Sequence, residues 1–189
     1  KSLKTFYKAV QFNSVKCSIY LIDNSFKISN YSLVKILKDF ASNFNNKNFQ
    51  IFYLPSDYNL GFAKGCNKGA FLGTSPYLLF INCDTDLTPL GKDGIIKLLR
   101  RLNNKASIVG PKVISEDGFL QYSCFSFDPI SILFKPLRHI KKIGNFTKFF
   151  FNNKFFNIWT GSIEYQNLNF TSLNKVDWIS GCFFIVKRN

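Results

Sequence analysis

Apolar and polar positions come in blocks whose period changes along the chain. Cys17 to Ile22 is a short apolar run that ends abruptly at Asp23-Asn24-Ser25, as a buried strand entering a turn does. Leu33, Ile36, Leu37, Phe40 and Phe44 recur at helical spacing and predict an amphipathic helix over 32–44, followed by a loop over 45–48. Gln50 to Leu54 reads as a second strand, stopped by Pro55. Gly61 to Leu72 reads as a helix with a glycine-rich start. Tyr77 to Ile81 is a third buried strand, and it too ends in polar residues, Asn82-Cys83-Asp84-Thr85-Asp86. Ile95, Leu98, Leu99 and Leu102 define a further helix. Ser107 to Val113 reads as a strand before a Glu116-Asp117-Gly118 turn, and Val176 to Lys187 as a strand broken at Ser180-Gly181. No internal repeat is visible.

Strands that alternate with helices imply parallel pairing through crossover helices, hence an α/β sandwich. Ligands of such sheets bind beyond the carboxyl ends of the strands. Asp23 follows the first strand, and Asp84 and Asp86 follow the third, so three carboxylates are expected on one rim.

Composition fits a folded protein: 46% of the 189 residues are hydrophobic and 19% charged, enough to build a core. Lys plus Arg number 25 against 11 acids, a net charge of +14. Phe, Asn, Lys and Ile are abundant, as in AT-rich coding sequence, which accounts for part of that charge. The chain has no Met and starts at Lys1, so a window of a longer or processed protein is expected. Residues 1–10 lack the apolar centre of a signal peptide, and no apolar run approaches the roughly 20 residues that span a bilayer. The five cysteines (Cys17, Cys66, Cys83, Cys124, Cys182) form no Cys-x-x-Cys pair, which argues against a zinc knuckle and for reduced thiols in a cytosolic protein. A single histidine, His139, sits among lysines and reads as a solvated neighbour of them.

From Pro129 to Ile163 there is no acid, and Lys135, Arg138, Lys141, Lys142, Lys148 and Lys154 alternate with Phe134 to Trp159 aromatics and aliphatics. Three readings stand: a solvated face, a surface for anionic membrane, or a nucleic-acid patch. No nucleic-acid module accompanies it, so nucleic acid is not expected as a partner.

Asp84-Thr85-Asp86 offers hard oxygen ligands suited to Mg²⁺ or Mn²⁺, ions that commonly bridge a carboxylate to a diphosphate. Upstream stands Asn59-Leu60-Gly61-Phe62-Ala63-Lys64-Gly65-Cys66-Asn67-Lys68-Gly69, then Tyr77 to Leu87 with its Asn-x-Asp-x-Asp ending. This order resembles the family 2 glycosyltransferases, and most of all their rhamnosyltransferase-like branch. Leu21-Ile22-Asp23-Asn24-Ser25, Gly110-Pro111-Lys112-Val113 with Asp117-Gly118, and Val176 to Arg188 are also similar to elements of that family. The likeness runs from about residue 19 to residue 188, with a poorly matching stretch over 126–174.

The resemblance implies a GT-A type, Rossmann-like α/β/α sandwich with a mainly parallel central sheet, here incomplete. It implies that residues 1–128 form the nucleotide-sugar-binding part, and 129–189 the basic aromatic segment and the start of the acceptor side of the same domain. It implies inverting transfer of a sugar from a nucleotide-sugar donor, dTDP-rhamnose being one candidate. The acceptor would be a glycan or lipid-linked molecule in bacterial surface polysaccharide or lipooligosaccharide synthesis. The enzyme would be cytoplasmic, with peripheral contact to the inner membrane face as the basic segment's role. By the resemblance, Asp23, Asn59, Gly61, Phe62, Asn67 and Asp84 would bind the donor, and Asp86 with Asp84 would hold Mg²⁺ or Mn²⁺. Trp178, Ser180 and Gly181 would face the acceptor. Each has a plainer reading: Asp23 as an Asx turn, Gly61 as a turn glycine, Phe62 as core, Asn67 as a backbone partner, Trp178, Ser180 and Gly181 as strand residues. The family's first strand precedes Lys1, and the acceptor-side Glu-Asp motif that supplies the general base follows Asn189, so the expectation is a fragment truncated at both ends. Asp177 and Glu164 match no base motif. The alternatives are an inactive remnant that at most binds nucleotide, or a basic module for membrane or nucleic-acid surfaces.

Overall fold

The structure is a computed structural model that describes residues 1–10, 15–25, 31–44, 47–104, 106–121, 123–125 and 174–188, with only the backbone at 31–33, 103 and 104. Residues 45–46 of the loop predicted over 45–48, His139, Glu164 and the basic aromatic segment lie outside the described residues. The chain divides into two compact units, Lys1–Val109 with Ile185–Asn189, and Gly110–Phe184.

The first unit opens with α1 (Ser2–Val10), which the sequence reading did not assign. Its Phe6, Ala9 and Val10 are buried, and Phe6 and Tyr7 pack against Phe49 while Tyr7 also meets Phe44 edge-on. The spacing Leu3, Phe6, Tyr7, Val10 is helical, and that periodicity was the available signal. β1 (Cys17–Asp23) and β2 (Phe49–Pro55) pair in parallel from Cys17 opposite Phe49 to Asp23 opposite Pro55. α2 (Tyr31–Phe44) makes the crossover between them, as the hydrophobic periodicity predicts. Pro55 belongs to β2 as its last residue, where a missing N–H is tolerated.

α3 (Gly61–Leu72) lies on β1. Gly65 and Gly69 are four residues apart and share one helix face. A Cβ on Gly65 would lie 3.3 Å from the Asn24 amide nitrogen and 3.7 Å from Ile22, and one on Gly69 would lie 3.6 Å from Ile22. The glycines thus let the helix backbone approach the strand. Past the helix, Arg188 donates to the carbonyls of Ala70 (2.7 Å) and Ser75 (3.0 Å), placing a cation at the carbonyl-rich helix end.

β3 (Tyr77–Ile81), β4 (Ile108–Val109) and β7 (Phe183–Lys187) form a sheet in the order β3-β7-β4. β7 is antiparallel to β4, and the Arg188 N–H donates to the Pro76 carbonyl just ahead of β3. α4 (Gly94–Asn104) packs on β4 and α1, with Ile95 and Leu102 buried. The α/β class is as expected, and among the described residues the strands form separate ladders. The strand expected over 107–113 is only two residues long. Pro111 supplies no N–H to prolong it.

In the second unit, β5 (Cys124–Phe125) and β6 (Trp178–Ile179) pair antiparallel. Gly118, with φ +81°, turns the chain between Ile114 and Leu120, which form a bridge. The expected break in the last strand falls after Ile179, where the chain turns before β7.

Candidate functional site

The end of β1 carries the densest polar network among the described residues. The Asp23 Oδ1 accepts from the Ser25 N–H (2.8 Å) and from the Ser25 hydroxyl, closing an Asx turn. The Asp23 Oδ2 accepts from the Tyr53 hydroxyl at 2.6 Å. Tyr53 reaches it because β1 and β2 are in register: Tyr53 lies two residues before Pro55, the partner of Asp23. The hydrogen bonds from Ser25, then that from Tyr53, hold the Asp23 carboxyl below the usual carboxylate range. The same bond raises the Tyr53 phenol.

Asn24 ties this turn to the start of α3. Its Nδ2 donates to the Gly61 carbonyl (3.2 Å), and its Oδ1 accepts from the Leu60 N–H (3.3 Å). The Asn59 Oδ1 accepts from the Gly61 N–H at 2.8 Å. Gly61 has φ +71°, a left-handed conformation that a side chain would strain. The two asparagines therefore hold a left-handed entry to the helix that glycine adopts without strain, and the turn after Asp23 meets Leu60 and Gly61 through Asn24. Lys68 donates to the Pro55 carbonyl at 3.2 Å and fixes the far side of this turn. Phe62, 57% exposed, and Tyr58, 58% exposed, flank the same segment. Asn67 is exposed half a helical turn away from the Gly65 and Gly69 face, so the structure does not bring it into the network.

Asp84 and Asp86 follow β3 in a loop anchored by α1. The Ser2 hydroxyl lies 2.6 Å from the Thr85 carbonyl and 3.0 Å from the Asn82 carbonyl, and the Thr5 hydroxyl accepts from the Leu87 N–H at 3.2 Å. The Asp86 Oδ1 accepts from the Thr88 N–H (2.9 Å), and its Oδ2 lies 3.4 Å from the Lys1 ammonium. Hydrogen bonds from Thr88, then the Lys1 charge, lower the Asp86 carboxyl. Asp84 is exposed. Among the described residues no group of three or more His, Cys, Asp or Glu side chains is placed to hold a metal. Asp84 and Asp86 are both exposed hard-oxygen groups, and Asp86 has a partner on each carboxyl oxygen.

In the second unit, Trp178 stacks on Phe125 at 3.8 Å between ring centroids, and the Ser180 N–H donates to the Ser123 carbonyl at 2.8 Å. Trp178, 43% exposed, offers the only large open surface of the three residues expected at the acceptor; Ser180 and Gly181 are half-buried.

None of the five cysteines is in a disulfide. Burial pushes the Cys17 thiol up to about 11, and raises those of Cys66 and Cys124, so these are inert thiols. Sequence reasoning missed Asn24, Ser25 and Tyr53 as site residues. The first two stood in the quoted motif, and Tyr53 required the strand register. Among the described residues no helix is long and apolar enough to cross a membrane.

A family model described as Glycosyl transferase family 2 matches residues 4–185. No curated protein and no solved structure matches the chain.

Proposed function

Since the chain belongs to glycosyl transferase family 2, we propose that it binds a nucleotide-sugar at the carboxyl ends of β1 and β3 and passes the sugar, with inversion, to a glycan or lipid-linked acceptor. The observation that carries this reading is the network joining Asp23 to Asn59 and Gly61 through Asn24. It holds an anionic acceptor and a left-handed helix entry in one place, whereas a solvated turn needs neither.

In this reading Asp23 accepts a hydrogen bond from the nucleobase. Asn59, Gly61 and Phe62 shape the donor pocket, Asn67 braces that pocket, and Asp84 lies near the ribose and diphosphate. Asp86 and Asp84 hold Mg²⁺ or Mn²⁺, which neutralises the charge that develops on the diphosphate as it leaves. Trp178, with Ser180 and Gly181, presents a flat apolar face to an acceptor sugar. dTDP-rhamnose is the donor we favour, and bacterial surface polysaccharide or lipooligosaccharide the product. The basic segment, by its charge alone, suits contact with the anionic inner face of the cytoplasmic membrane.

A specific observation favours a second reading of Asp86. Both of its oxygens already have partners, Thr88 and Lys1, so it holds the chain entering the 3-10 turn at Thr88–Leu90, a structural cap reading that needs no ion. A thermal-shift screen of nucleotide-sugars with and without Mn²⁺ separates the two. Ligand that binds the native state raises the melting temperature. The metal reading expects a Mn²⁺-dependent rise that Asp86→Asn removes, whereas the cap reading expects an unchanged rise in that variant.

A further inference from the structure

The Asp23 carboxylate has about four acceptor positions, two on each oxygen. Three are taken: Oδ1 by the Ser25 N–H and hydroxyl, Oδ2 by the Tyr53 hydroxyl. At most one position is left, and it is on Oδ2. We propose that Ser25, by filling Oδ1 while Tyr53 holds the carboxylate in place, sets the base specificity of the donor site, which takes a pyrimidine with a single imide N–H, uracil or thymine, and disfavours guanine.

The inference rests on the donor-binding reading of Asp23 and deepens it. Guanine presents two neighbouring donors, the ring N–H and the exocyclic amino group. A carboxylate receives them best through one open position on each oxygen. Here Oδ1 has none, so one guanine donor is left to a neutral hydroxyl oxygen of Ser25 or Tyr53, a weaker partner than a carboxylate. Uracil and thymine present one N–H on that edge, and the position left on Oδ2 satisfies it. A donor left with a neutral acceptor in place of a carboxylate lowers affinity by about tenfold.

The two residues divide the work differently. The Ser25 hydroxyl occupies the second position on Oδ1, so its removal opens the two-oxygen fork that guanine needs while the backbone N–H bond remains. Tyr53 comes from the neighbouring strand and aims the carboxylate. It is a positioning residue: its hydroxyl fixes Oδ2 without filling Oδ1, so its loss weakens every base alike.

The test is calorimetric titration of UDP, dTDP and GDP, each with Mn²⁺, into the wild type, Ser25→Ala and Tyr53→Phe, with circular dichroism confirming that each variant is folded. The wild type is expected to bind UDP and dTDP about tenfold more tightly than GDP. Ser25→Ala is expected to narrow that ratio by about tenfold. Tyr53→Phe is expected to weaken all three nucleotides by a common factor with the ratio preserved. Equal binding of the three by the wild type, or an unchanged ratio in Ser25→Ala, overturns the specificity inference while leaving the donor site standing. Failure of every nucleoside diphosphate to bind overturns both.

Discussion

Asp23 has a structural role in the geometry and a proposed one at the donor. Its Asx turn with Ser25 is the plain structural reading, and the same bonds lower its pKa and leave it ionised at neutral pH. Because the folded-state pKa is depressed, the stabilisation is present above the unfolded value, near 4, and is lost as pH falls through the folded value. Urea denaturation of the wild type and Asp23→Asn at a series of pH values is therefore expected to show a stability gap that is widest near neutrality and shrinks below about pH 4. A gap that stays constant down to acid would assign the cost of the substitution to something other than the ionised carboxylate. At this scale the sequence showed Asp23 and its motif but not Tyr53. A contact between strands 30 residues apart follows from register, and the single sequence carries no mark of it.

Elements were legible where one physical signal dominated. The apolar run Tyr77–Ile81 and the segment Gly61–Leu72 fold as their patterns predict, because a continuous apolar stretch and a glycine-led amphipathic stretch each permit one outcome. α1 went unassigned because its apolar positions are interleaved with Lys4, Thr5 and Lys8, and its burial comes from Phe49 and Phe44, far along the chain. The expected strand over 107–113 was cut short by Pro111, a local veto within an apolar pattern. The contact of α3 with β1 makes a two-sided prediction. Gly65→Val adds bulk where a Cβ already meets Asn24 at 3.3 Å, and is expected to destabilise the fold by about 1–3 kcal/mol. Gly69→Ala places its methyl at ordinary contact distance from Ile22, 3.6 Å, inside a helix, and is expected to stabilise by about 0.5–1 kcal/mol. Thermal melts of the two variants read both signs, and destabilisation by Gly69→Ala would contradict the packing described.

For the whole molecule, family membership and α/β class came through from ordered motifs spread over most of the chain, whereas the convergence of distant carboxylates on one ligand is a three-dimensional claim. Asp23 sits at the end of β1 and Asp86 beyond β3, two elements separated in sequence by α2, β2 and α3. Calorimetric titration of one nucleoside diphosphate, UDP with Mn²⁺, into the wild type, Asp23→Asn, Asp86→Asn and the double variant addresses that claim most directly. The account predicts that each single substitution weakens the same binding event by about tenfold or more, the first through the base and the second through the metal and diphosphate. Undiminished affinity in either single variant would contradict it, because the two carboxylates would then not serve one donor.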